Sequence, residues 1–263
     1  MAHETLIRLG FFGSFLVLFA LWETLVPHWR RRVARRARWR TNLALMVAGS
    51  LALRLVALAV PLLAVGAALY AETRGWGLFN LVGLPGWLEF VLALLVLDLA
   101  IWTQHLVTHK VPLFWRFHRV HHADRDMDVT TGLRFHPVEI AASMLLKVAL
   151  VYVLGPQPLA VLVFEVLLNA TALFNHANLR LPRWADAGLR RVLVTPDMHR
   201  IHHSDRRQDH DSNYGFSLSL WDRLFRTYRD LPAMGQDRMT VGLAWQDDQP
   251  QRLGWSLWLP FRR

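Results

Sequence analysis

The sequence predicts an all-α fold, in the form of an integral-membrane helical bundle. Hydrophobic residues make up 53% of its 263 residues and Trp alone occurs 12 times, which is high for a water-soluble domain. The formal charge of +10 would also suit a nucleic-acid-binding protein, but the basic residues cluster between long apolar runs. The pattern therefore favours a membrane protein with a basic inner face and no nucleic-acid partner.

The N-terminal part predicts one retained span followed by a basic loop. Residues 5–26 are apolar apart from Arg8, Glu23 and a few small polar residues, and are long enough to cross a bilayer. A cleaved signal peptide is the alternative, but the start is not basic and no small-residue cleavage site follows. Residues 28–40 read HWRRRVARRARWR, which indicates a cytoplasmic loop, so we expect the N-terminus outside.

Two more runs predict a pair of spans that returns the chain to the inner side. The first covers residues 43–70, and the Gly-rich stretch at 71–86 is then expected outside. The second covers residues 87–107 and carries Asp98 near its middle. Because an acidic residue inside a span is costly, Asp98 is expected to have a partner.

A further apolar pair lies at residues 138–154 and 158–174, broken by Gly155-Pro156. It predicts either a full hairpin or a re-entrant one. From residue 180 onward the chain is polar and basic, so we expect this part at or beyond the cytoplasmic face.

Ten of the thirteen histidines lie between residues 105 and 203, at the inner ends of the predicted spans. Spacings of three and four residues, which place side chains on one helix face, define three clusters: His105 and His109; His118, His121 and His122; His199, His202 and His203. A lone histidine is usually structural, but eight neutral imidazoles on helical faces favour metal ligation. The sequence therefore predicts a helical metal-binding cap on the cytoplasmic face of the bundle.

Eight imidazoles exceed the four ligands of a structural zinc site and suggest two metal ions. Imidazole also binds copper and nickel, so the ligands alone leave the metal open. Because the chain has no cysteine, thiolate ligands, iron–sulfur clusters and disulfides within it are excluded. The Glu-x-x-His pattern of soluble di-iron bundles is also missing, so the expected site is nearly all-histidine.

Several shorter motifs accompany the three clusters in a fixed order. They are FHP at 135–137 with Glu139, FNHAN at 174–178, TPDM at 195–198, NYG at 213–215 and WDRLF at 221–225. Together with the histidine clusters, this set resembles the fatty acid hydroxylase / sterol desaturase superfamily of membrane enzymes over about residues 90–230. Arg226 departs from the family pattern, which has Gly in a WDRLFGT-like run; the difference concerns a turn.

The resemblance implies a membrane enzyme with two iron ions that uses dioxygen to hydroxylate or desaturate a C–H bond of a lipid. The implied metal ligands are His105, His109, His118, His121, His122, His199, His202 and His203, with His176 as a ninth. Electrons would come from a separate protein, because the chain lacks a dinucleotide-binding motif, a haem-attachment motif and cysteine. The substrate would enter from the bilayer.

The same resemblance divides the chain into three parts. Residues 1–90 are expected to form N-terminal transmembrane helices and the basic loop. Residues 91–235 would be the catalytic domain, and 236–263 a cytoplasmic tail.

Four residues are expected to support the ligands from behind: His136, Asp98, Asp197 and Asn213. For Asp98 the alternative is an ion pair with Arg54.

For five more residues the sequence predicts either their contacts or their exposure. Arg119 and Arg200 either hold carboxylates such as Asp197 or Asp205, or reach lipid phosphates. His3, His28 and His210 are expected at the surface.

Three other functions compete with a lipid oxygenase. A metal transporter would place its ligands near the bilayer midplane on broken helices, whereas most of these histidines lie at or past the inner edge. A two-zinc hydrolase usually has carboxylates to handle protons. A non-catalytic protein with structural metals is compatible with the sequence.

Overall fold

The computed structural model describes residues 3–60, 63–245 and 249–262. Within these residues the chain is helical, with isolated β-bridges but no strand, which confirms the all-α prediction. The α-helices of the described residues are α1 Glu4–Leu25, α2 Arg35–Ala59, α3 Ala64–Arg74, α4 Leu78–Val82, α5 Gly86–Lys110, α6 Pro112–His122, α7 Pro137–Leu154, α8 Pro158–His176, α9 Arg183–Leu189, α10 Pro196–His202, α11 Arg207–His210, α12 Leu220–Leu224 and α13 Leu253–Trp258. Short 3-10 helices cover Val129–Leu133 and Leu259–Phe261.

In the part of the chain that the structure describes, five segments are long and apolar enough to cross a membrane: Glu4–Leu25, Arg35–Val82, Gly86–Lys110, Pro137–Leu154 and Pro158–His176. Large apolar side chains cover the outside of the bundle, where Leu55 is 68% and Leu58 is 83% exposed. Such a surface suits lipid as the solvent. The chain is therefore a multi-pass membrane protein, while the side on which its histidines lie stays a prediction.

The predicted second span, residues 43–70, is not one helix. Helix α2 ends at Ala59 and α3 begins at Ala64; the sequence has Pro61 between them, and proline cannot continue a helical hydrogen-bond ladder. Helix α3 packs against α7 and α8 through a row of buried alanines that contact Val148 and Val161. Small side chains allow this close approach of helices in a membrane.

Helices α7 and α8 form a hairpin whose bend lies at Gly155. This residue has φ +62°, and a Cβ there would lie 2.2 Å from the carbonyl oxygen of Trp76. Only glycine fits such a conformation and contact. The bend reverses the chain, so that the N-terminus of α7 and the C-terminus of α8 lie at the end of the bundle where the histidines lie.

The basic run at 28–40 is only partly a loop, because α2 begins at Arg35. Arg38 is buried, and its guanidinium donates to Asp124 and Asp128, each at 2.7 Å. Burial alone would raise the pKa of Asp124, but the charge and hydrogen bonds of Arg38, with smaller contributions from Arg134 and Thr131, together outweigh it and lower the pKa to about 2. One arginine of the run thus ties α2 to the segment that follows α6.

Glu23 near the end of α1 is fully buried. Its Oε2 accepts hydrogen bonds from the backbone N–H of Val129 at 2.9 Å and of Asn178 at 3.1 Å. These two residues follow α6 and α8, respectively. Glu23 therefore fixes the chain immediately beyond two of the helices that carry histidines.

The C-terminal residues pack on the bundle. Trp255 and Leu259 are buried in one apolar cluster with Leu45 of α2 and Val120 of α6. The guanidinium of Arg119 donates to the carbonyl oxygens of Leu259 and Arg262, both at 2.7 Å. The tail thus braces α6, which carries three of the histidines.

Candidate metal centre

Nine buried histidines from four helices meet at one end of the bundle. One group contains His105, His109, His118, His122 and His202, and the other contains His121, His176, His199 and His203. Within each group, one ring nitrogen from every residue lies within 4.8 Å of the others. The structure thus brings together all nine histidines that the resemblance singled out.

Each three-histidine cluster is divided between the two groups. Residues four apart point to the same group, as His118 and His122 do, and the residue between them, His121, belongs to the other. On a helix, positions i and i+3 are rotated by about 60° relative to each other. This rotation directs the three rings, which their spacing predicted on one helix face, into two neighbouring groups.

Backbone carbonyls fix the tautomers of three rings. Nδ1–H donates to a carbonyl oxygen in His105 (Tyr214, 2.7 Å), in His202 (Ser212, 2.8 Å) and in His176 (Ala172, 2.6 Å). Because a carbonyl oxygen only accepts, Nδ1 must carry the proton and Nε2 must present a lone pair.

A carboxylate does the same for His118. Its Nδ1–H donates to Oε1 of Glu139 at 2.7 Å, and its Nε2 lies 3.0 Å from Nε2 of His105. When both rings are neutral, two lone pairs face each other at a distance where they repel. A cation between them removes that repulsion, which is the arrangement of a metal site.

The second group centres on His176. Its Nε2 lies 3.1 Å from Nε2 of His121, 3.0 Å from that of His199 and 3.2 Å from that of His203. Nitrogens bound at about 2.1 Å to one metal and at right angles are about 3 Å apart. These spacings fit a shared metal ion.

Several ring nitrogens have no hydrogen-bond partner among the described residues. They are both nitrogens of His109 and His122, Nδ1 of His121 and His199, and Nε2 of His202. Unpaired buried polar atoms are costly in a folded protein. Metal ligation would satisfy at least one nitrogen of His109, His122 and His202.

Burial lowers the pKa of the histidines outside the spans. For His121, His122, His199, His202 and His203 it holds the pKa well below the usual value, and repulsion between neighbouring imidazoles lowers it further. These rings are neutral near pH 7. Neutral imidazole is the form that binds metals.

A cavity of about 450 Å³ reaches from His105 and His118 into the membrane-spanning part. Its walls are mostly apolar, and its lining also includes Arg8, Lys147 and Glu165. Lys147 Nζ donates to Glu165 Oε1 at 2.7 Å, and Arg8 pairs with the other oxygen. The volume is in the range of small-molecule sites.

Comparison with known proteins identifies the family to which this arrangement belongs. The model of the fatty acid hydroxylase family matches residues 90–227, which include all nine histidines. The chain belongs to the fatty acid hydroxylase family. No solved structure matches the chain.

Curated relatives of this family member act on lipids, as their names state. Alkylglycerol monooxygenase of Xenopus tropicalis is 30% identical over 58% of the chain, and ornithine lipid hydroxylase OlsE of Rhizobium tropici is 30% identical over 55%. Human alkylglycerol monooxygenase is 28% identical over 59%. The matched region spans only 34%, 43% and 34% of the length of these three proteins, respectively.

Asp98 and His136 have partners other than the ligand rings. Oδ2 of Asp98 accepts from Nε1 of Trp221 at 2.9 Å, and its described partners include neither an imidazole nor Arg54. His136 caps α7, because its Nδ1 accepts from the N–H of Val138 at 3.2 Å. The structure therefore places both residues as supports of the helices.

Asn213 and Asp197 brace α10. Nδ2 of Asn213 donates to the carbonyl oxygen of Met198 at 3.0 Å. Asp197 pairs with Arg200, as expected, and this guanidinium also lies 4.9 Å from the ring of Trp29. For Arg119, two alternatives were open, a carboxylate or lipid phosphates; its guanidinium donates instead to backbone carbonyls of the tail.

Of the three histidines expected at the surface, only His3 is exposed. His28 is half-buried beside Trp29, whose ring is 5.5 Å from its own. His210 stacks on Trp115 at 5.3 Å and lies 5.7 Å from the ring of His109. Sequence spacing gave no sign of these contacts, since each histidine stands outside the three clusters.

Glu139 and three backbone carbonyls, those of Ala172, Ser212 and Tyr214, were missed as partners of the ligand rings. Glu139 is part of a family motif, which was the available signal, and it lies in the first turn of α7 facing His118. The carbonyls of Ser212 and Tyr214 come from the segment that contains the NYG motif. Backbone groups leave no signature in side-chain identity, so only the motif as a whole pointed to them.

Proposed function

We propose that this chain is a membrane-bound di-iron oxygenase that uses dioxygen to hydroxylate a C–H bond of a lipid. The observation that carries the proposal is the pair of buried histidine groups, in which Nε2 atoms of neighbouring imidazoles lie about 3 Å apart. The names of the relatives, a monooxygenase of alkylglycerols and a hydroxylase of an ornithine lipid, support lipid hydroxylation rather than desaturation.

In this proposal each histidine group holds one iron ion. Bound iron would supply the activation of dioxygen that an unactivated C–H bond requires. The protein would supply neutral imidazoles, carbonyls and Glu139 that orient them, and an apolar cavity that holds the lipid and excludes water. Because the ligands come from four packed helices, their positions are fixed before metal binds.

Electrons would come from a separate donor protein on the cytoplasmic side. The sequence offers no dinucleotide-binding motif, no haem-attachment motif and no cysteine for a cluster. The basic residues of 28–40 support a cytoplasmic position for the histidines through the positive-inside rule.

The decisive experiment combines metal analysis with isotope labelling. The protein is reconstituted anaerobically with Fe²⁺, its metal content is measured, and lipids of cells with and without it are compared under ¹⁸O₂. We expect about two iron ions per chain, as the two groups require, and one ¹⁸O in a lipid product. The His202→Ala variant is the matched negative control.

Other results would favour the competing functions. Activity with zinc and without dioxygen would indicate a hydrolase. Metal uptake into vesicles would indicate a transporter, and bound iron with no lipid oxidation a structural role for the metals.

A further inference from the structure

An apolar groove lies on the outer surface of the bundle between α5 and α7. Its volume is about 660 Å³, and it is lined almost entirely by apolar side chains, among them Val96, Val107, Phe114, Phe117, Val138 and Leu150. Helices α5 and α7 contact each other only sparsely, and the groove opens toward the region where lipid surrounds the bundle.

The groove has the length of one hydrocarbon chain in a single leaflet. At about 1.5 Å per residue, it runs about 16 Å along α5 from Val96 to Val107 and about 18 Å along α7 from Val138 to Leu150. One leaflet of a bilayer is about 15 Å of hydrocarbon. The Phe117 end lies on α6 beside the histidines, and the Val96 end lies deeper in the membrane.

A thin polar wall separates the groove from the cavity beside the histidines. Gln104, Thr108, Glu139 and Ser143 line both spaces. Across the wall, Oγ of Ser143 donates to Oε1 of Gln104 at 3.1 Å. Gln104 directly precedes His105, and Glu139 bonds to His118, so the wall is continuous with the proposed iron site.

The geometry points to this groove as the docking site of a lipid chain and to the Gln104–Ser143 hydrogen bond as its gate. The ligand is a long-chain lipid of the leaflet that faces the histidines. Its chain end lies toward Val96 and Leu150, and the carbons next to its polar head lie at Phe117 and the wall. We also expect the carbons next to the polar head to be the ones that are oxidised, and only this expectation rests on the proposed function.

A photolabelling experiment tests the docking site without requiring turnover. Two probes are used, each a 1-O-hexadecylglycerol with a diazirine, placed in one at the chain end and in the other next to the glycerol. We expect the first to label the region of Val96 and Leu150, and the second that of Phe117 and Val138. The opposite order, or labels spread over all lipid-facing helices, would overturn the proposal.

Substitutions sharpen the test. Ala142→Trp fills the groove and should remove most of the labelling, whereas Leu145→Trp, at similar depth on the lipid-exposed surface of α7 outside the groove, should not. Ser143→Ala removes the bond across the wall, and because one such bond in a membrane changes an equilibrium by about threefold, labelling of the inner cavity should rise by about that factor.

The cavity also reaches Leu9 and Ser50 between α1 and α2, which is the alternative entrance. Loss of labelling in Ser50→Trp but not in Ala142→Trp would overturn the proposal. The two proposals fail separately: a labelled groove without lipid oxidation refutes the oxygenase alone. Oxidation that Ala142→Trp leaves unchanged refutes the groove alone.

Discussion

The carboxylate of Glu139 accepts a hydrogen bond from Nδ1–H of His118 at 2.7 Å. This contact joins α7 to α6 directly behind the histidine groups and is the shortest between a carboxylate and any of the nine histidines in the described residues. It fixes the tautomer and the orientation of the ring.

Replacing Glu139 should weaken metal binding without unfolding the protein. We expect Glu139→Ala to lose about 10- to 100-fold in iron affinity or activity, the usual effect of removing the partner of a ligating histidine. Glu139→Gln keeps an acceptor oxygen, so its loss of iron affinity should be smaller than that of Glu139→Ala. Competition with a chelator measures the affinity, and Glu72→Gln, at an exposed residue of α3, is the control. Equal affinity in all three variants would contradict the role of Glu139.

His202→Ala should abolish activity and release metal from its group, while His136→Ala should keep both metals. His202 presents an unpaired Nε2 to the five-histidine group. His136 caps α7, and loss of a cap costs about 1 kcal/mol of stability. Elemental analysis of protein normalised to its folded fraction distinguishes the two. Loss of both metals in His136→Ala with retention in His202→Ala would reverse the assignment.

Arg38→Ala should be among the most destabilising changes outside the metal groups. It leaves the buried Asp124 and Asp128 without their cation, and breaking a buried ion pair costs about 3–5 kcal/mol. Arg36→Ala, two residues away and exposed, should stay within about 0.5 kcal/mol of the native protein. Thermal unfolding in detergent measures both, and a similar midpoint for the two variants would show that the buried cluster contributes little.

The orientation in the membrane can be tested with single cysteines, since the native chain has none. An impermeant thiol reagent applied to intact cells should label Glu72→Cys and leave Arg207→Cys unlabelled until the membrane is opened. Both side chains are exposed, so accessibility depends on the side of the membrane. Labelling of Arg207→Cys in intact cells would place the histidines outside.

Sequence reasoning predicted the helical membrane fold and the residues that meet at the site. Apolar runs have an almost unambiguous meaning in a chain this hydrophobic, so α1, α5, α7 and α8 were placed to within a few residues. Histidine spacing identified eight of the nine residues, because few other structures need so many, and the resemblance to the family added His176. The break after Ala59 was missed, although Pro61 in the sequence was the available signal.

The finer contacts could not be predicted because they depend on residues distant in sequence. Arg38 lies within a run of basic residues whose pattern predicts solvent exposure. It is nevertheless buried, and its guanidinium donates to Asp124, which is distant in sequence. Arg226 is a different case. It adopts φ +60°, the conformation for which glycine is best suited, so the departure from the family pattern does concern a turn, as expected.

The division of adjacent histidines between two groups has a consequence for how metals are loaded. His121 and His122 share a helix, as do His202 and its neighbour His203, yet the members of each pair serve different groups. The rotation of α6 and of α10 is therefore shared by both groups, so a change that turned either helix would displace ligand rings of both groups at once. We expect such a change to lower the occupancy of both ions together, whereas the loss of a single ring lowers the occupancy of one.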